Sequence, residues 1–358
     1  MFIENKKIKV SNVFNFYENV ELNLSKYNVF IGKNGTGKSN LAKTIFQLAT
    51  IPSNTIPPLV PFRGNQTTES IIEMSIEFDK FDLESFKSSS GFQSLVRSGS
   101  LASLPLLIGQ LELSNITIMR RISQRETLFE IEGFPIPSDP RQINIYNAFK
   151  ASLSNELIKK ATFIPDTRDL PGSFAYDRNF EGNPVTIGNF LTFLTDMKLN
   201  HRESYDKLVE MYRRIVPYVK DLNINPAGNV LTLVEEVDEF KIPTLSISKG
   251  TRELIVVLAV LALCSNGTSV FIEEPEIHLH PSAITELKKV IQETAKSKDL
   301  QITITTHSPI FLSGLEPELD KDVQVYLFSR EKNGESTVEH IITDNDFDKA
   351  QNSLDVNN

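Results

Sequence analysis

The chain has 358 residues, enough for one large domain or two ordinary ones, and its 40% apolar and 23% charged content suits a globular protein with a sizeable core. A net charge of −9 excludes a surface built wholly for nucleic acid but leaves room for a local basic face. The single cysteine, Cys264, excludes an intrachain disulfide and reads as a small buried hydrophobe in an apolar helical run. The stretch Met1 to Val10 lacks the basic-then-apolar order of a signal peptide, and the longest apolar run, Leu254 to Cys264, is short of the roughly 20 residues that span a bilayer. The expectation is a soluble cytoplasmic protein with no membrane partner.

In chain order, residues 2–31 alternate as short antiparallel strands do: Ile8-Lys-Val10, then Val20 to Leu24, then the apolar run Tyr27 to Ile31. That last run enters Gly32-Lys-Asn34-Gly35-Thr36-Gly37-Lys38-Ser39-Asn40, which fits the phosphate-binding pattern G-x-x-x-x-G-K-[ST]. Gly32, Gly35 and Gly37 let the backbone turn tightly, so that successive N–H groups point at a phosphate chain beside the positive end of a helix. Lys38 is placed to reach the β- and γ-phosphates, and the Ser39 hydroxyl to ligate Mg²⁺. A glycine turn before an ordinary amphipathic helix is the plainer alternative. The flanks speak against it, because a β-rich strand precedes the loop and Leu41, Ile45 and Leu48 follow at helical spacing up to about Thr50.

Residues 51–70, with four prolines and Gly64, read as a loop, and Ser70 to Phe78 as a strand. A low-complexity serine-rich stretch over 87–103 precedes two further strand signals, Leu111 to Ile122 and Leu128 to Ile131. Asn147 to about Lys160 and Ile187 to Lys220 carry helical periodicity, so 140–225 is expected to be a mostly helical lobe set on the core. It holds no sustained heptad run, hence no coiled-coil arm, and the chain shows no internal repeat.

The C-terminal third supplies chemistry that a phosphate loop needs. Ser269-Val-Phe-Ile-Glu273-Glu274-Pro275 is an apolar strand ending in two acids, suited to a Mg²⁺-associated carboxylate and an adjacent acid that orients the attacking water. A solvated acidic strand end is the alternative, and the Glu-Glu-Pro-Glu spelling is unlike one. Thr303-Ile-Thr-Thr-His307-Ser308 is a β-branched strand ending at a histidine placed to touch a γ-phosphate, although a lone histidine is more often a structural hydrogen-bonder. Leu245 to Leu254 is a polar turn, including Ser248 and Gly250, that opens an apolar helix; its N-terminus suits an anion.

Taken in order, the phosphate loop, the Ser-x-Gly turn, the run Glu273 to Pro281 (Glu-Glu-Pro-Glu-x-His-Leu-His-Pro) and Thr306-His-Ser-Pro309 resemble the ABC-type ATPase core of the RecF/SMC/OLD group, most nearly its OLD-like branch. The motifs cover residues 1–50 and 240–330; the middle is matched by position alone. The resemblance implies an α/β fold, a P-loop NTPase of ABC-ATPase type with N-terminal antiparallel strands and an inserted, mostly helical lobe. The core halves would be 1–139 and 226–335, the lobe 140–225, with a polar tail over 336–358. It further implies ATP and Mg²⁺ as cofactors, with Gly32, Asn34, Gly35, Thr36, Gly37, Lys38, Ser39 and Asn40 around the nucleotide. Ser39 and Glu273 would hold the metal, Glu274 would be the catalytic base and His307 the switch histidine. Ser248 and Gly250 stand where the family's signature turn binds the γ-phosphate held by the other subunit, so the family implies a head-to-tail homodimer.

Three features depart from the wider family. The signature reads Ile-Ser-Lys-Gly-Thr, the first strand acid is Glu273 where transporters carry Asp, and no transporter-like glutamine loop follows the first helix. Phe163-Ile-Pro-Asp-Thr-Arg168 matches the corresponding strand end, with Asp166 or Arg168 expected near the nucleotide. The first two fit the OLD-like branch; the run Glu273 to Pro281 and the missing glutamine loop disfavour a transporter subunit. With roughly 50 residues after His307, the C-terminal TOPRIM nuclease that OLD nucleases carry, a module of about a hundred residues, is expected to be absent here.

Two functions follow from the resemblance. One is a Mg²⁺-dependent ATPase that dimerises on ATP and moves its lobes in DNA repair or phage defence. The other is an ATP-gated scaffold holding a separately encoded effector, a nuclease or toxin, with hydrolysis incidental. His278 and His280 alternate like a metal pair but lack a third ligand nearby. Arg120-Arg-Ile-Ser-Gln-Arg125 and Tyr212 to Lys220 are the local basic clusters that could meet DNA phosphates; nearby acids make a salt-bridged surface the plainer expectation.

Overall fold

A computed structural model describes residues 6–17, 19–50, 69–78, 116–123, 127–132, 161–168, 190–227, 230–243, 246–316 and 320–355, with short pieces at 87–88, 93, 143–144, 146–152 and 174–175. In chain order the first elements are β1 (Lys6–Ser11), β2 (Val20–Leu24), β3 (Tyr27–Gly32), α1 (Lys38–Thr50), β4 (Ile71–Phe78), β5 (Ile116–Ser123) and β6 (Thr127–Glu132). Then come β7 (Ala161–Ile164), β8 (Phe174–Ala175), α2 (Phe190–Asn200), α3 (Arg202–Ile215), β9 (Asp221–Ala227), β10 (Val230–Val237) and β11 (Phe240–Pro243). The chain closes with α4 (Lys249–Leu263), β12 (Ser269–Glu273), α5 (Pro281–Ser297), β13 (Gln301–Thr306), β14 (Val323–Arg330), β15 (Ser336–Ile341) and α6 (Asp344–Asp355).

Six strands make the central sheet in the order β15-β14-β3-β13-β12-β7, parallel except for the edge strand β15. Every residue of β3, β12 and β13 is buried, as expected of parallel strands covered on both faces. Alternate residues serve two different cores. Val29, Ile31, Val270, Ile272, Ile302 and Ile304 pack with α2 to α5, whereas Phe30, Phe271, Tyr326 and Phe328 pack with α1 and the five-stranded antiparallel sheet β2-β1-β4-β5-β6. β1 buries every second residue, the pattern of a strand with one face on a core. The Lys6 ammonium ties this sheet to the central one, donating to Ser269 Oγ and Gln301 Oε1 at 2.7 Å each.

Within 140–225, the helical run expected over 187–220 divides at His201, whose φ of −130° and ψ of 54° leave the helical region. α3 buries Tyr205, Leu208, Met211, Tyr212 and Ile215 against α4, an i, i+3, i+4 stripe. β7 of the same segment is a strand of the central sheet, and β8 and β9 pair with β10. The expected helix over 147–160 is described only as far as 152, and Leu111 to Asn115 of the expected strand lies outside the described residues.

Residues 336–355 differ from the expected polar tail. β15 extends the central sheet antiparallel to β14, and α6 packs beside β3, with Ala350 buried and Phe347 against the same core. Among the described residues, no helix is long and apolar enough to cross a membrane.

Candidate functional site

The C-terminal ends of β3, β13, β12 and β7 lie at one edge of the sheet, the edge at which open α/β sheets bind ligands. Gly32 closes β3 beside Phe328, and a Cβ there would stand 2.2 Å from the Phe328 carbonyl oxygen. Gly37 has φ of 95°, and its Cβ would come within 2.9 Å of the Phe16 ring. The Thr36 hydroxyl donates to the Lys33 carbonyl at 2.8 Å, and the Lys38 ammonium to the Gly32 and Lys33 carbonyls at 2.6 and 2.9 Å. Burial pushes the Lys38 ammonium below its ordinary value, opposed by the charges of Glu274 and Glu276. α1 starts at Lys38, so its free N–H groups open toward the loop.

A cavity of about 270 Å³ is lined by Asn34, Gly35, Gly37, Lys38, Ser39 and Asn40 of the loop together with Glu274, Asn15 and Arg330. The last two are absent from the sequence-based site. Asn15 Nδ2 and Arg330 Nη1 both donate to the Gly35 carbonyl, at 3.4 and 3.3 Å. They meet the loop through the fold alone: the pairing of Phe328 with Gly32 carries Arg330 past the end of β3.

Glu273 ends β12 fully buried, with the Lys43 ammonium 3.1 Å from Oε2 and neither carboxylate oxygen meeting a hydrogen-bond donor in line. Lys43 lies one helical turn after Ser39, so the α1 face bearing Ser39 looks toward Glu273. A buried carboxylate whose lone pairs meet no donor in line fits Mg²⁺, which takes few protein ligands and completes its shell with phosphate and water. Glu274 follows with φ of 40°, the left-handed region, and its N–H donates to the Thr305 carbonyl at 2.8 Å.

His307 Nδ1 stands 3.8 Å from Glu274 Oε2 and 3.4 Å from Glu276 Oε1. Facing Glu274 raises the histidine above its ordinary value against the opposing effect of burial, and His307 in turn holds Glu274 below the usual carboxylate range. At 3.8 Å the Glu274 contact is charge pairing rather than a direct hydrogen bond. Glu276, a residue of the Glu273 to Pro281 run without an expected role, anchors the histidine: its Oε1 accepts from the Thr306 hydroxyl and, at 3.0 Å, from the His307 N–H. Of the pair Asp166 or Arg168, one of which is expected near the nucleotide, Arg168 lies buried behind the two acids, donating to the carbonyls of Glu273 and Glu274 at 3.1 and 2.7 Å.

Ser248 caps α4, its hydroxyl accepting from the Thr251 N–H at 3.3 Å, and Gly250 lies against the loop after β12, where a Cβ would be 2.2 Å from the His278 carbonyl oxygen. Neither residue is among those lining the cavity. His278 Nδ1 pairs with the buried Glu253 at 3.0 Å, while His280 Nδ1 accepts from the Ser282 N–H at 3.4 Å and caps α5. Each histidine thus has its own task, and no trio of potential metal-ligating side chains is gathered among the described residues. Of the basic clusters, Arg121 faces Glu69 at 3.9 Å, Arg214 meets Glu293 at 2.5 Å, and Lys220 meets Asp238 at 3.1 Å. Arg125 lies outside the described residues.

Among solved structures, an SMC head bound to the C-winged helix domain of ScpA superposes with a TM-score of 0.58 at 14% identity, over 96% of this chain and 99% of that one. An SMC head domain with an extended coiled coil, bound to the C-terminal domain of ScpA derived from Pyrococcus furiosus, gives 0.52 at 11% identity over 98% of both chains. The fold is therefore that of the SMC head, a P-loop ATPase domain. The family described as "AAA domain, putative AbiEii toxin, Type IV TA system" matches residues 27–313, which is most of the chain, and the protein belongs to that family.

Proposed function

We propose that the protein is a Mg²⁺-dependent ATP hydrolase that closes on ATP as a head-to-tail homodimer. The observation that carries this reading is the single cavity in which Lys38, Ser39 and Glu274 meet at the C-terminal edge of the parallel sheet. The loop N–H groups and Lys38 would hold the β- and γ-phosphates, and Ser39 and Glu273 would hold Mg²⁺, which would supply charge neutralisation for the phosphates. Glu274, kept ionised by His307, accepts a hydrogen bond from the attacking water and orients it. His307, charge-paired with Glu274 and Glu276, would face the γ-phosphate.

A second reading, an ATP-gated holder of a separate effector, draws support from the SMC heads, which are seen with a bound ScpA domain, and from the toxin named in the family description. Both readings share the nucleotide site and differ in whether turnover matters.

Glu274→Gln tests the first. Turnover is expected to fall by about 10²-fold or more, the usual worth of a positioned base, with ATP affinity kept. In light scattering, Mg-ATP is expected to shift this variant from one to two copies of the 40.3 kDa chain. Hydrolysis at the wild-type rate would remove Glu274 from the role of base.

A further inference from the structure

Arg168 is fully buried at the edge of the sheet where the acids emerge, although guanidinium groups are rarely found there without partners. Its position follows from topology. β7 runs parallel to β12 with Ile164 opposite Ile272, and this is the last pair of their ladder. Beyond it, the carbonyls of Glu273 and Glu274 face a side where β7 has ended. On the opposite side, β12 still pairs Glu273 with Thr305, and the Glu274 N–H reaches the Thr305 carbonyl at 2.8 Å. Arg168, four residues past Ile164, fills the gap: Nη1 donates to the Glu273 carbonyl at 3.1 Å and Nη2 to the Glu274 carbonyl at 2.7 Å.

Those two carbonyls bracket the backbone of Glu274, a residue with φ of 40°. A glutamate pays a steric penalty in that region and stays there only where its surroundings enforce it. The fork of a guanidinium matches two successive carbonyls in a way that a single ammonium does not. Burial disfavours the charge on Arg168, and the carboxylates of Glu253, Glu276, Asp166 and Glu273 sustain it. The same cation lies behind Glu274 without entering the cavity, whose lining omits it.

We propose that Arg168 is a positioning residue: its two hydrogen bonds lock the Glu273–Glu274 backbone so that Glu273 stays buried while the Glu274 carboxylate is presented to the cavity. Without the fork, Glu274 relaxes toward ordinary φ and its carboxylate swings out of line. The phosphate loop, built on β3 and α1 and separated from β12 by β13, keeps its shape. This role rests on the assignment of Glu274 as the base.

The test compares wild type, Glu274→Gln, Arg168→Met and Arg168→Lys, measuring kcat with Mg-ATP and, separately, the Kd of ADP in EDTA, which reports the phosphate loop alone. Arg168→Met is expected to lower kcat by about 10²-fold, the cost of misplacing a catalytic group by about 1 Å. Its ADP Kd is expected to stay within about threefold of wild type. Arg168→Lys keeps the charge but offers no planar fork, and is expected to fall between Met and wild type in kcat. Near-wild-type turnover of the Met variant, or a Kd that weakens as far as kcat falls, would overturn the proposal. Should Arg168→Met not fold, Arg168→Lys decides alone, and full activity there refutes the fork. If Glu274→Gln itself turns over normally, the assignment of the base has failed rather than the role of Arg168.

Discussion

Burying a charge is costly unless something answers it, and the charged side chains in this protein are answered in different ways. Lys38 donates to carbonyls of its own loop, Glu273 has the Lys43 ammonium, and Glu235 on β10 accepts the Tyr212 hydroxyl from α3. The neutral hydroxyl leaves Glu235 least compensated: burial raises its pKa, and the Tyr212 hydrogen bond opposes this only in part. An acid whose folded pKa lies above its unfolded value near 4.5 favours the folded state while protonated, and that advantage is lost as pH rises through the folded value. Glu235→Gln, which keeps an acceptor oxygen for Tyr212 and removes the charge, is therefore expected to match wild type in Tm near pH 4.5 and to exceed it increasingly toward pH 8. A Tm difference independent of pH would show that Glu235 is not the group responsible. The site residues divide along similar lines in their legibility. Gly32, Gly37, Lys38 and Ser39 stand in one contiguous pattern that can be read along the chain, whereas the roles of Glu274 and His307 come from the family resemblance and belong to the proposal. Arg168, Asn15 and Arg330 could not be given their roles, since these arise from which strand lies beside which: β7 next to β12, and β14 next to β3.

At the scale of elements, the N-terminal turn of α4 and the loop leaving β12 behave as one piece. Gly250 lies so close to the loop that an added Cβ would stand 2.2 Å from the His278 carbonyl oxygen, and one helical turn on, Glu253 takes the His278 ring at 3.0 Å. His278 itself has φ of 59°, so the loop is held in shape partly by this contact. Gly250→Ala is expected to cost about 1–3 kcal/mol, the usual penalty for overpacking a tight contact, read as a lower Tm and denaturant midpoint. An unchanged Tm would mean that the loop yields freely and that the two elements are not coupled. This piece was legible in part: Ser248 and the apolar run of α4 mark a helix start, but nothing in the sequence pairs Gly250 with His278. The same limit hid the end of the chain. α6 reads Asp-Asn-Asp-Phe-Asp-Lys-Ala-Gln-Asn-Ser-Leu-Asp, too polar to announce a packed helix, and it is placed by Phe347 and Ala350 against a core formed elsewhere. β3 with its loop and α1 was the opposite case, an all-apolar strand, glycines and helical spacing in one continuous stretch.

At the scale of the molecule, the phosphate loop and Glu274 share one cavity, whereas Ser248 and Gly250, at the head of α4, do not line it. Standing outside that cavity, these two residues would face, in the proposed head-to-tail dimer, the nucleotide held by a second copy. Ser248 is exposed, so a large side chain there can block a partner without disturbing the fold around it. Ser248→Arg is accordingly expected to leave nucleotide affinity of the monomer unchanged while abolishing the Mg-ATP-dependent doubling of mass in a Glu274→Gln background. Because Ser248 also caps α4, the substitution removes a hydrogen bond worth about 1 kcal/mol, and Ser248→Ala controls for that loss. The alanine variant should melt somewhat lower than wild type and still dimerise, since it lacks the cap but not the space. Dimerisation of the arginine variant at the wild-type ATP concentration would place the contact elsewhere. Failure of both variants would assign the effect to the helix cap, leaving the surface that Ser248 presents without a role in assembly.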